Sequence, residues 1–487
     1  MGDPYYPRDG NGGYDVKHYL LEVIYEPSTD LLTGVATIRS RATQNLSSFN
    51  LDLDGLRVQS IEVDGHPASW RRKRGELTVT PDRGLRNDRQ FTTFVHYRGV
   101  PRTINDEFGV SGFMHTDDGA LVVGEPHVAA TWYPVNDHPI DKAAYTFRIG
   151  VPNGLEAVAN GILKSRRTED GRTTWTWEAN EPMASYLTTA TVGEFDLRDY
   201  REDGIRFWDA LDPDLFVPVE PRTGNQHASS QAAAPPTLGE IAEDSLARQG
   251  EIIDFLSDTF IDYPFSAAGG IVDDHEFFFA LENQTRPIYD KGFFTSPESG
   301  ANVIVHEIAH QWYGDSVAIA SWKHIWLNEG FATYAEWLWS EREGLGTAQE
   351  LFDLFYSIPR RDPFWDLKIG NPGRPHLFDF PVYARGAMTL HQLRLKVGDS
   401  DFFRILRSWA RIHSDDNVTT SQLIRLSERI SGRGLDALFT KWLFSPRKPD
   451  LPGGAVSRAS FTDLKHAPPA ARSLVERLGE TPRFTFP

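Results

Sequence analysis

The chain contains no cysteine. This excludes disulfide scaffolds, thiolate-held metals and thiol nucleophiles, and leaves His, Asp and Glu to build any metal site. A cysteine-free chain fits an oxidising or a reducing compartment equally well. Positive charge is also scarce: 50 Lys plus Arg face 68 Asp plus Glu, a formal charge of −18. A surface of that sign repels phosphate backbones and anionic headgroups, so neither nucleic acid nor a membrane is expected as a partner. No run approaches the roughly 20 apolar residues that span a bilayer. The opening Met1-Gly2-Asp3-Pro4-Tyr5-Tyr6-Pro7 lacks the basic and apolar regions of a secretory leader. A cytoplasmic location is expected for the sequence as it stands, with secretion the alternative if a leader has been removed. No solenoid-period repeat and no obligate protein partner is evident.

What is present is an ordinary folded composition, 40% hydrophobic, 24% charged and 12% aromatic, far from that of a disordered chain. At 487 residues the chain exceeds what one core usually organises, so two domains and a small appendage are expected. The first two hundred residues alternate with period two, as in Tyr19, Leu21, Val23, Tyr25 and in Phe91, Thr93, Val95, Tyr97. Turn pairs Asp54-Gly55, Asp64-Gly65 and Asp170-Gly171 separate such runs, as antiparallel hairpins require. A polar stretch from Glu220 to Pro236 reads as a surface loop. After it, Thr237-x-x-Glu240 has capping-box spacing, and Leu238, Ile241, Ile252, Ile253 and Leu256 suggest one long helix. The expected division is an N-terminal β domain over 1–197, a mainly helical catalytic domain over 198–450 and a C-terminal tail over 451–487 with no clear element.

Within the helical region, Val303-Ile304-Val305-His306-Glu307-Ile308-Ala309-His310-Gln311-Trp312-Tyr313-Gly314-Asp315 carries H-E-x-x-H on an apolar helical pattern, with Gly314 as its expected C-cap. At 3.6 residues per turn the two histidines lie about 40° apart on one face and can converge on one ion. Glu307 is displaced sideways, where its carboxylate reaches water rather than the metal. A catalytic zinc needs a third ligand, and Glu329, eighteen residues beyond His310, opens a second helical pattern with Phe331, Tyr334, Ala335, Leu338 and Trp339. Glu336 shares its face with Thr333. Glu336 and Asp315 are candidates to orient the histidines.

These residues resemble the gluzincin aminopeptidases, the family of aminopeptidase N and leukotriene hydrolase, whose hallmark is H-E-x-x-H, eighteen residues, then Glu in W-L-N-E-G-F-A. The resemblance runs from about residue 15 to 450 and includes Glu125-Pro126 and Trp132-Tyr133-Pro134-Val135-Asn136-Asp137-His138-Pro139. It implies a multidomain α+β fold, an antiparallel saddle-like β domain on a thermolysin-like catalytic domain, with one zinc per chain held by His306, His310 and Glu329. The family's G-A-M-E-N segment stands here as Phe279-Ala280-Leu281-Glu282-Asn283. By resemblance Glu282, with Ala280 and Asn283 in the same segment, binds the free α-ammonium of a peptide, and Glu125 adds a contact across the cleft. Tyr383, in Val382-Tyr383-Ala384-Arg385-Gly386, matches a segment whose phenol donates to the oxyanion. Three departures stand out. Phe279 replaces glycine and Leu281 replaces methionine, His324 stands where the family is usually acidic, and the chain ends at Pro487 where many members continue, so a more open cleft is expected.

The reading is a zinc aminopeptidase acting on peptides with a free N-terminus, with Glu307 as base and then acid. A zinc endopeptidase would share the metal centre without needing Glu282. A leukotriene-hydrolase-like epoxide activity has no specific residue behind it. A non-catalytic scaffold would ordinarily have lost some of these residues.

Overall fold

The computed structural model describes residues 2–218, 235–451 and 467–479. Most of the Glu220–Pro236 stretch read as a surface loop lies outside the described residues. The N-terminal region is β-rich, as the alternation predicts. Tyr14–Glu26 and Leu31–Ala42 form a long hairpin that buries Tyr19, Leu21, Val23 and Tyr25 on one face. The hairpin sits mid-way in an eight-stranded sheet. That sheet is not wholly antiparallel: Tyr14–Glu26 pairs in parallel with Ala143–Pro152, a join that its long intervening excursion permits. Asp64-Gly65 and Asp170-Gly171 both adopt positive φ, the left-handed pair of a type I′ hairpin turn. A second sheet of five strands, from Thr103–Asp106 to Glu156–Ala159, leads directly into the segments containing Glu125 and Asn160.

A third sheet joins the two regions. Asp196–Glu202 and Ile205–Leu211 form a hairpin, and Ile205–Leu211, Ile271–Asp273 and Ile288–Asp290 then run parallel. Ala280–Leu281 closes the edge. Helical periodicity gave no hint of these short strands, each of three residues or fewer beyond the hairpin.

Ten α-helices are described: α1 Leu238–Leu246, α2 Gln249–Thr259, α3 Pro297–His310, α4 Trp326–Glu343, α5 Ala348–Tyr356, α6 Phe380–Val397, α7 Asp399–Ile412, α8 Thr420–Ser431, α9 Asp436–Leu443 and α10 Pro469–Gly479. The capping box at Thr237 and Glu240 is formed, yet the expected single long helix is two. The chain breaks after Leu246, and the buried Gln249 at the start of α2 donates to Asp209 Oδ1 at 2.9 Å, joining the Tyr200 hydroxyl and the Gly270 amide in satisfying that buried carboxylate. The tail, read as having no clear element, contains α10, packed on α3 and α4.

Helices α3, α4 and α6 pack as a layer that sets the site. Gly330 of α4 meets Gly386 of α6 so closely that a Cβ on Gly386 would lie 2.7 Å from the Gly330 Cα. Only glycine permits that approach, and it draws the helix carrying Tyr383 against the helix carrying Glu329.

Candidate active site and metal centre

α3 begins at Ser296, whose hydroxyl accepts from the Ser299 amide at 3.2 Å, with Pro297 in its first turn. Those signals fix its register and place His306 and His310 one turn apart at its buried end. α4 starts at Trp326, three residues before Glu329, so Glu329 lies in its first turn rather than at its start. The three side chains come together: Glu329 Oε2 is 3.3 Å from His306 Nε2 and 3.5 Å from His310 Nε2. Ligand atoms on a tetrahedron with arms of about 2.0–2.1 Å stand roughly 3.3–3.4 Å apart. With the carboxylate at about that spacing from each imidazole nitrogen and all three ligand atoms buried within 4.8 Å of one another, the set fits zinc. Gly314 does not cap α3, which ends at His310. It sits in the following turn, where a Cβ would approach His310 Nδ1 to 3.1 Å.

The far nitrogens of both histidines are held. His306 Nδ1 lies 2.6 Å from Glu336 Oε1, a charge-assisted contact that orients the ring and raises its basicity. His310 Nδ1 is met by the Tyr313 carbonyl at 3.1 Å, not by Asp315. The expectation for Asp315 is thus corrected: the chain turns so that a main-chain oxygen reaches the ring, and both carboxylate oxygens of Asp315 are buried without a hydrogen-bond partner among the described residues. Tyr383 reaches the centre from α6, its ring 5.9 Å from that of His306. His324 is hydrogen-bonded to α8. Its Nδ1 lies 3.0 Å from the Thr420 hydroxyl, which also accepts from Trp326 Nε1, and burial, then Lys323, pulls its pKa down to about 4. It is a neutral ring that ties the start of α4 to α8.

The Phe279–Asn283 segment borders the same space. Glu282 is buried, its Oε1 accepting from the Tyr186 hydroxyl at 3.2 Å. Carboxylate oxygens of Glu282 and Glu307 and a nitrogen of His310 lie within 4.8 Å of one another. Glu125 arrives from the five-stranded sheet with Oε1 buried and unpartnered among the described residues. Asn283 looks elsewhere: its amide donates to the Leu187 carbonyl at 3.0 Å. Ala280 pairs with Tyr289 in the edge strand. Three residues that sequence reasoning passed over hold this segment. Gln311 donates to the Glu282 carbonyl at 3.0 Å and accepts from the Thr285 amide at 2.8 Å. Arg286, buried, donates to the carbonyls of Ala159, Gly161, Trp208 and Ala268, tying the β domain to the third sheet. Tyr186 supplies the hydroxyl on Glu282. A signal existed for Arg286, a cation next to an acidic motif and remote from any basic cluster; none existed for the other two.

The electrostatics demand cations. Burial and then Glu282 push Glu125 well above the usual carboxylate range, and burial likewise raises Glu282 and Asp315. Burial draws His310 down, but Glu282 and Glu329 outweigh it and leave the ring raised to about 10. Six acids, Glu125, Glu282, Glu307, Asp315, Glu329 and Glu336, gather around two histidines, a crowding that a divalent ion and an ammonium group would relieve.

Such a helix pair, presenting its donors at tetrahedral spacing beside a further carboxylate under a β-rich domain, is the framework of a zinc metallopeptidase. The chain belongs to peptidase family M1: the Peptidase M1 N-terminal domain matches residues 15–187 and the Peptidase family M1 domain residues 245–442. Among curated relatives, Aminopeptidase M1 of Arabidopsis thaliana is 25% identical over 66% of this chain and 36% of its own length. Probable aminopeptidase 2 of Sulfurisphaera tokodaii is 25% identical over 81% of this chain and 49% of its own. The chain thus spans about a third to a half of the length of such relatives. The M1 zinc metallopeptidase of Deinococcus radiodurans is 27% identical, with a TM-score of 0.78 over 94% of this chain and 99% of its own. A mutant of it bound to a Tyr-Ser-Ala substrate superposes with a TM-score of 0.80 over 93% of this chain and 99% of its own.

Proposed function

We propose that the chain is a zinc aminopeptidase that releases the first residue of a peptide. The observation that carries this reading is the spacing of Glu282 and Glu307, whose oxygens lie within 4.8 Å of each other. In an N-terminal residue the amine nitrogen stands only about 2.5 Å from the carbonyl carbon. An ammonium held at Glu282 therefore brings the first peptide bond, and no later one, within reach of Glu307. His306, His310 and Glu329 hold the zinc, which when bound acidifies a water and polarises the scissile carbonyl. Glu282 and Glu125 accept hydrogen bonds from the ammonium and fix the residue in register. Glu307 takes a proton from the attacking water and returns it to the departing amine. Tyr383 donates its phenolic proton in a hydrogen bond to the developing oxyanion. The relatives named aminopeptidase and the tripeptide-bound structure support the same substrate class.

The test follows one Leu-initiated pentapeptide, free and N-acetylated, by mass spectrometry with wild type and Glu282→Ala. Release of Leu from the free peptide alone, weakened in the variant, is the expected result. Internal cleavage of both peptides would replace the aminopeptidase with an endopeptidase on the same centre.

A further inference from the structure

At the carboxyl ends of the parallel strands, away from the histidine centre, lies a second group of acids. Asp212 follows Ile205–Leu211, and Asp273 and Asp274 end and follow Ile271–Asp273. One carboxylate oxygen from each of the three lies within 4.8 Å of the others. The key member is Asp273, only 1% exposed. Its Oδ1 accepts from the His275 amide at 2.8 Å. Its Oδ2 is buried and has no hydrogen-bond partner among the described residues. Asp212 Oδ1 is likewise occupied, by the Asp214 amide at 2.8 Å, so each of these two side chains keeps a second oxygen for another partner.

The surroundings add further negative charge to the group. Asp118, from the turn Thr116–Gly119 of the N-terminal region, acts on all three carboxylates, and Asp117 and Asp214 act on Asp274. Lys291 offsets part of this, but its ammonium donates to the main-chain carbonyl of Asp274. Burial and then these neighbouring aspartates push Asp212 up to about 6 and Asp273 to about 7, against the opposing pull of their backbone amides. An oxygen-only donor set at a boundary between domains, with a buried carboxylate oxygen left without a partner, suits a hard divalent cation rather than zinc.

We infer that Asp212, Asp273 and Asp274 form a calcium-class cation site that ties together the ends of two neighbouring strands of the third sheet. Water completes the coordination shell, as is usual where the protein supplies few oxygens. The site is structural and independent of the peptidase reading.

The test uses the full zinc-loaded chain and calcium chloride, with sodium chloride at matched ionic strength as control. Equilibrium dialysis against radioactive calcium is expected to give one ion per chain, and thermal melts a saturable rise of about 2–4 °C. In calcium-free buffer at pH 8, Asp273→Asn is expected to melt above wild type, because it removes an unpaired buried charge. As calcium saturates, that advantage closes, and the variant itself does not respond. Asp212→Asn gives the same loss of response should Asp273→Asn fail to fold, and zinc content stays unchanged in both. A wild type that binds no calcium in dialysis, or variants that respond to calcium as wild type does, would overturn the site.

Discussion

Gln311 is the sharpest place to perturb the candidate site without touching a ligand or the substrate. Its side chain is 1% exposed and satisfies two main-chain groups of the segment proposed to anchor the substrate amine, the Glu282 carbonyl at 3.0 Å and the Thr285 amide at 2.8 Å. Gln311→Leu keeps the volume and removes both partners. Each buried main-chain group left unsatisfied costs about 1–3 kcal/mol. The segment is also fastened by Thr285 Oγ1 to the Gly161 amide at 2.7 Å and by Arg286, so it shifts rather than unfolds. Taking about 1–2 kcal/mol per group gives roughly 2–4 kcal/mol, spent on displacing Glu282. At about 1.36 kcal/mol per decade that is a fall of roughly 30- to 900-fold in kcat/KM for a peptide with a free N-terminus. Gln311→Glu keeps the acceptor for Thr285 and loses the donor to Glu282, so its loss should be intermediate.

The assay is kcat/KM on a Leu-initiated tetrapeptide, with zinc content measured on the same samples to show that His310 next door is undisturbed. Zinc-replete Gln311→Leu within about threefold of wild type would refute the argument that this amide positions Glu282.

Other expectations follow from single contacts. Glu336→Gln should weaken zinc affinity about 10–100-fold in a chelator competition, because the 2.6 Å contact on His306 loses its charge; unchanged affinity would remove Glu336 from the metal's support. Tyr383→Phe should lower kcat about 10²–10³-fold with little change in KM, the signature of a donor used only in the transition state; a change in KM alone would place the tyrosine in ground-state binding. Burial, then Arg394, holds His391 down to about 4, so between about 4 and the ordinary 6.5 the unfolded chain binds more protons than the native one. The stability that the neutral ring contributes is complete above the unfolded value and is lost as pH falls toward 4. His391→Gln, which disturbs contacts to Tyr334 and Gln349, should melt below wild type at pH 7.5, and the gap should narrow at pH 5. A gap that widens on acidification would reverse the sign.

What could be read from the chain and what could not divide along one physical line. The convergence of His306 and His310 depends only on helical period, and the hairpin turns at Asp64-Gly65 and Asp170-Gly171 only on which residues tolerate positive φ. Both are local, and both were legible. Asp315 shows the limit of reading by residue type: a carboxylate five residues beyond His310 was a natural orienting group, yet the ring takes the Tyr313 carbonyl, and every residue carries a carbonyl. The break between α1 and α2 was hidden for a related reason, since the contact made there, Gln249 to Asp209, reaches forty residues upstream into another element. Gln311 and the three aspartates lie further still from any local rule. Their partners are brought to them by the order of the third sheet, whose short strands leave no periodic trace. Charge links the two classes. A chain at −18 could spread its acids over a solvated surface at little cost, but this fold buries Glu125, Glu282, Glu329 and Asp315 in one cleft and Asp212 and Asp273 at one set of strand ends. Buried like charges are tolerated where a cation is part of the structure or of the substrate. In the cleft the proposed function supplies those cations as zinc and a substrate ammonium, and at the strand ends the same reasoning calls for calcium.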